Sequence, residues 1–154
     1  MYESLSQNTF PSEASRSQRR RTALVAILGT RAEAILERVV SETLRATDFV
    51  GLGRTVAARY TTVVRACLPF CLAALGATDP ERARLFDENA HIVKDLAEVG
   101  VPKFVQRGLV SFGFRLAAGI VRQNARPTGF EPDELEDELR VFQRAFEARL
   151  YFGV

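Results

Sequence analysis

A chain of 154 residues, 47% hydrophobic and 26% charged, has the size and composition of one globular domain and is wrong for a disordered protein. A formal net charge of +2 is too small to imply nucleic-acid binding by the folded part. With only two cysteines, no apolar run of the ~18 residues that a membrane span needs and no basic-then-apolar leader at the start, the chain reads as a cytoplasmic protein with no disulfide framework and no membrane segment.

Residues 1–17 are rich in Ser, Gln, Asn, Thr and Pro, and are expected to be a disordered tail. Residues 18–154 are expected to form a single all-helical domain. A short first helix covers Gln18 to Leu28, with Leu24, Ile27 and Leu28 as its stripe. Thr30 and Glu33 have the spacing of a capping box, so a second helix should start there and run to about Ala46. Asp48, Gly51 and Gly53 mark a loop. A third helix spans Arg54 to about Leu75, with Pro69 expected to kink it near Arg65 and Gly76 in the C′ position. Asp79 as N-cap and Pro80 behind it start a fourth helix, which carries Leu85, Phe86, Val93 and Leu96 inward and stops at Gly100. After a Pro/Gly loop from Arg126 to Phe130, Pro132 opens the last helix. Its stripe is Leu135, Leu139, Phe142, Phe146, Leu150 and Tyr151. No segment alternates with period two over a strand's length.

The fifth helix, from Pro102 to about Asn124, organises the rest. Val101, Phe104, Val105, Gly108, Phe112, Leu116, Gly119 and Ile120 recur at spacings of three and four, and Leu109, Val110, Phe114, Ala117, Ala118 and Val121 cover most of the remaining surface. A helix without a fully polar face is normally enclosed by protein. It is therefore read either as the central, buried helix of the fold or as a helix shared between the core and a subunit interface. Together these patterns predict an all-α fold: a globin-like bundle of five to six helices around a buried long helix.

Catalytic chemistry finds little support. His91 is the sole histidine and has no relay partner visible in the sequence; it reads as a structural or surface residue, with a haem ligand or a proton sensor as the alternative. Cys67 and Cys71 stack on one helix face with no second ligand pair, so they read as buried free thiols. The acidic run from Glu131 to Glu138 reads as a solvated face matched to the helix dipole, and Arg16 to Arg21 as a solvated helix entrance. Glycines at 108, 113 and 119 each cost a helix about 1 kcal/mol relative to Ala. Close approach of another helix would offset that cost, and so would a cavity for a small apolar ligand; Phe104, Gly108, Phe112, Leu116 and Gly119 are the candidate cavity or interface residues.

The corner Ala97-Glu98-Val99-Gly100-Val101-Pro102, followed by Phe104, Leu109, Phe112 and Leu116, resembles the RsbRD-type N-terminal domain. That domain occurs in stressosome co-antagonists of the RsbR type and in PucR/CdaR-type transcriptional regulators. The likeness covers roughly Thr30 to Asn124, and Gly100, Val101 and Pro102 are its sharp motif. The resemblance implies a haem-free, globin-like domain that senses a signal, forms a homodimer and feeds an output domain or signalling partner. Haem-binding globin sensors resemble the pattern His-x-x-x-Gly-x-Pro at this corner; here Leu96 stands at the histidine's place and offers iron no lone pair. The expected function is thus a non-catalytic sensory and dimerisation input domain of a bacterial regulator, with no cofactor, no metal and no direct contact with nucleic acid. A haem- or tetrapyrrole-binding sensor using His91 is the alternative.

Overall fold

A computed structural model describes residues 12–153. The protein is all-α: among the described residues there are seven α-helices and no strand. They are α1 (Glu13–Gly29), α2 (Ala32–Phe49), α3 (Arg54–Gly76), α4 (Asp79–Glu88), α5 (Ala90–Glu98), α6 (Lys103–Asn124) and α7 (Pro132–Phe152), with a 3-10 turn at Arg126–Thr128 before α7.

Several helix ends differ from the sequence reading, each for a local reason. The tail expected over residues 1–17 is helical from Glu13, because Ser12 caps the first turn by accepting the Ser15 N–H at 3.1 Å. Residues 1–11 of that tail lie outside the described residues. The Thr30–Glu33 capping box does not form: Thr30 ends α1, its hydroxyl donates back to the Ile27 carbonyl, and Arg31 precedes α2 without a side-chain cap. Thr78, not Asp79, is the N-cap of α4. The single helix expected from Asp79 to Gly100 is two. Asn89 leaves the helical region (φ −107°, ψ 19°) and its side-chain amide donates to the Leu85 carbonyl at 2.8 Å, which makes the count seven rather than five to six.

The connectivity of the helices places α3 at the centre, packed against α1, α2, α4 and α5, while α6 packs against α1, α2 and α7. The core joins Leu24 and Leu28 of α1 to Tyr60, Phe70 and Leu75 of α3, Val105, Leu109 and Val121 of α6, and Leu135, Phe142 and Phe146 of α7. Its aromatic seam runs from Phe70 through Phe86 to Phe142, with centroid separations of 5.5 and 6.2 Å. Phe114 reaches Phe142 and Phe146 at 6.1 and 6.0 Å.

The expectation that α6 is enclosed on nearly every side is corrected. Its buried face is Val105, Gln106, Leu109, Ala117 and Val121, and an outer strip faces solvent. Phe104 is 70% exposed, and Arg107, Gly108, Arg115, Gly119 and Arg122 are also exposed. Arg115 and Arg122 sit seven residues apart, close to two whole turns, and Arg107 lies within a quarter turn of them, so the three mark one polar side of an otherwise apolar pattern.

The Gly100-Val101-Pro102 corner is held by three devices. Gly100 has φ +93°, which any side chain would strain. Val101 is buried, and the buried Gln106 amide donates to the Val101 carbonyl at 2.8 Å, so that neither is left unsatisfied. Pro102 stands before the first turn of α6, and its carbonyl accepts the Val105 and Gln106 N–H groups.

Gly76 is not a left-handed C′ residue. It is the last residue of α3, and a Cβ there would sit 2.9 Å from Val25 Cγ2 of α1. Its missing side chain lets α1 cross the end of α3 closely.

Candidate functional site: an apolar cavity and an aromatic groove

An apolar cavity of about 150 Å³ lies between α2, α3, α6 and α7. Leu36 and Val39 come from α2, Tyr60, Val64, Cys67 and Cys71 from α3, Leu109, Val110 and Gly113 from α6, and Phe142 and Phe146 from α7. Leu96, at the end of α5, closes one side. The wall is hydrocarbon apart from the Tyr60 side chain and the two thiols. Leu36, Val64, Leu68 and Leu72 are only half-buried, so the cavity reaches the molecular surface.

Cys67 and Cys71 face each other across one helical turn with sulfurs 3.7 Å apart, as their spacing predicted. Hydrogen bonding to Cys67 and burial hold the Cys71 thiol well above the usual thiol range. Burial first, with smaller repulsion from Tyr151 and Cys67, likewise raises the Tyr60 phenol. The cavity disfavours charge.

A second concavity, of about 370 Å³, lies outside the bundle between α2 and α6. Phe49, Val50, Phe104, Gly108 and Phe112 line it, rimmed by Glu42, Arg45 and Arg115. Phe49 is 85% exposed, and Arg38 lies over the Phe112 ring at 5.9 Å. Leu109 contributes to both concavities. Helix α6 is therefore the partition between them.

The candidate cavity or interface residues expected from the sequence are divided by this geometry. Phe104, Gly108 and Phe112 line the outer groove and not the internal cavity; Leu116 and Gly119 line neither. Open space surrounds the position a Cβ would take at Gly108 and Gly119, so no helix approaches closely there. Gly113 faces the cavity, with Val39 Cγ2 at an ordinary 3.8 Å. The sequence reading missed the α3 contribution, though the apolar positions flanking the C-x-x-x-C pair were its signal. His91 is exposed on α5 and is not part of the cavity wall, whereas Leu96 is. Among the described residues, no three His, Cys, Asp or Glu side chains come together as a metal site.

The charged clusters have structural roles that the sequence did not show. Glu138, read as part of a solvated face, is buried. Its carboxylate accepts from Ser17 Oγ at 2.7 Å and Arg20 Nε at 3.1 Å, and lies 3.6 Å from Arg21 Nε. Arg21 is buried as well and donates to the Ala77 carbonyl and to Asp79. Arg82, also buried, donates to the Ala74 and Leu75 carbonyls and lies 5.0 Å from the Phe142 ring centroid. With Gln18 donating to the Gly76 carbonyl, the last carbonyls of α3 are satisfied by side chains from α1 and α4. Of the expected solvated entrance, only Arg16 and Arg19 are exposed.

Helices α3 and α6 are long and apolar enough to cross a membrane by length and composition; here both line the cavity of the bundle. Comparison with protein-family models, with curated proteins and with solved structures finds no match to this chain. The class it defines rests on its own geometry: an all-α domain with an internal apolar cavity and an external aromatic groove on either side of one helix.

Proposed function

We propose that this chain is a non-catalytic sensory and dimerisation input domain of a bacterial signalling or transcriptional regulator, cytoplasmic and haem-free, of the globin-like RsbRD kind that its corner motif resembles. The observation that carries the reading is the position of α6 between a cavity suited to a small apolar ligand and a groove suited to a second protein surface. An occupant of the cavity presses on Leu109, Val110 and Gly113. The same helix presents Phe104, Gly108 and Phe112 to the groove. A ligand that prefers one setting of α6 then shifts the assembly equilibrium, since coupling requires only differential affinity for two states.

Exposed aromatic side chains in a concave patch support an interface, because such patches are uncommon on monomers and aromatics dominate interface energetics. An output domain or partner protein would read the resulting arrangement of α6 and α7. Size-exclusion chromatography with light scattering tests the proposal. The native chain is expected to form a dimer that dissociates on Phe104→Ser, a substitution at an exposed position that leaves the core intact. A monomer at high concentration would overturn the dimer reading.

A further inference from the structure

We infer that the cavity is a receptor for a neutral, monosubstituted organoarsenic(III) compound, its arsenic bridging Cys67 and Cys71 and its apolar substituent filling the adjoining space. This rests on the sensor reading of the same cavity and names its ligand class. The argument begins with the sulfurs, which lie 3.7 Å apart on the wall of the cavity. Two sulfurs bound to one tetrahedral centre through bonds of roughly 2.3 Å stand roughly 3.8 Å apart, and a pyramidal centre with similar bonds needs slightly less. The thiols are thus pre-spaced for one bridging atom.

They are poorly placed for one another. A disulfide needs Cβ atoms roughly 3.8 Å apart, whereas residues four apart on a helix hold theirs about 5–6 Å apart. Closing the S–S bond would unwind a turn of α3.

The surroundings select among the soft centres that thiols prefer. A structural zinc wants four ligands, and no further ligand cluster stands here among the described residues. A two-coordinate cuprous dithiolate carries a negative charge, which this hydrocarbon wall would leave unsolvated. The dithiolate of a monosubstituted arsenic(III) is neutral, and its third bond carries a carbon substituent into the cavity. An apolar space of roughly 150 Å³ takes a ligand of about the size of benzene, so it fits one phenyl ring or a smaller alkyl group.

The reaction balances without an oxidant. The hydrated compound R–As(OH)₂ meets two protonated thiols; two As–O bonds break and two As–S bonds form. Each thiol proton leaves with a hydroxide as water, and arsenic stays trivalent. The product carries no charge, so the hydrocarbon wall does not oppose it.

The test adds one equivalent of phenylarsine oxide to the reduced, folded chain. The expected result is one phenylarsenic per chain by native mass spectrometry, both thiols lost to titration, and an adduct that survives excess monothiol and is released by a small dithiol. Inorganic arsenite offers the same bridge without the ring, and should bind about tenfold to a hundredfold more weakly, the equivalent of burying one aromatic side chain. Ala117→Leu, which narrows the cavity and keeps both thiols, should weaken phenylarsine and spare arsenite. Cys67→Ala and Cys71→Ala should each give an adduct that monothiol removes.

Equal binding of arsenite and phenylarsine, or a monothiol-resistant adduct in either cysteine variant, would overturn the assignment; the comparison of the two arsenicals needs no variant at all. An adduct formed without any change in oligomeric state supports this site and counts against the coupling through α6. A ligand-driven change in oligomeric state with phenylarsine failing to bind would sink the site and leave the sensor reading standing.

Discussion

Replacing Glu138 by alanine should destabilise the fold far more than deleting an exposed charge. The Glu138 side chain is 5% exposed and is the shared counter-charge of Arg20 and Arg21, whose side chains are 14% and 8% exposed. Removing one partner of a buried ion pair costs about 3–5 kcal/mol, because the remaining charge stays desolvated and unpaired. Here the low end applies. Arg21 keeps the Ala77 carbonyl and Asp79, and Arg20 keeps Glu13 at 2.5 Å. Arg21 Nε already lacks a hydrogen-bond acceptor, so little slack remains on that side. A loss of about 3 kcal/mol corresponds to a fall in melting temperature of roughly 6–12 °C for a chain of this size. Circular dichroism during thermal and urea unfolding at pH 7 measures it. Arg122→Ala is the comparator: its guanidinium has bonds of 2.7–2.8 Å to Asp133 and Glu136, but in solvent, where such pairs contribute little. If the two variants melted within about a degree of each other, the buried network would not be the anchor of α1 and α7. Replacing Glu138→Leu together with Arg20→Met should recover only the Arg20 share of the loss, since Arg21 stays buried beside an apolar side chain.

Three further outcomes follow from the packing and the charges. Gly76→Ala should cost about 1–3 kcal/mol, because the new methyl meets a stiff β-branched Val25 at 2.9 Å; the double variant with Val25→Ala should show non-additive recovery, and simple additivity would refute the contact. Ala117→Leu should raise stability by about 0.5–2 kcal/mol by filling part of the cavity; a loss in the urea midpoint would mean there is no room beside Ala117. The hydrogen bond and charge of Arg21 hold the Asp79 carboxyl below its ordinary value. The unfolded chain therefore binds that proton first, so the contribution of Asp79 is complete above about pH 4 and is lost as pH falls through the lowered folded value. Asp79→Asn should flatten the fall in urea midpoint between neutral pH and pH 3, and an unchanged slope would show that Asp79 does not carry it.

Part of the local chemistry was readable without coordinates, where it acts on neighbours in the chain. The Gly100-Val101-Pro102 corner, the start of α7 at Pro132 and the facing thiols of Cys67 and Cys71 all depend on residues within two turns of each other. The break at Asn89 was missed because a single Asn within a helical pattern carries no strong stop signal; its amide chose the Leu85 carbonyl only in the folded context. Glu138 and the Arg20–Arg21 pair were misread for a different reason. They lie 118 and 117 residues apart in the chain, and charged residues are almost never fully buried unless paired, so nothing in either run announces the other.

The all-helical fold was thus determined by the sequence alone, through periodicity, turn residues and the absence of period-two alternation. Which side of α6 faces inward was decided only by tertiary packing. Its pattern is apolar on too many positions to choose, and the choice fell to how α1, α2 and α7 close around it: Leu109 and Ala117 went to the core, while Phe104 was left to solvent. The same packing made a cavity out of several helices, none of which encodes one by itself, because a void exists only where side chains from several directions fail to meet.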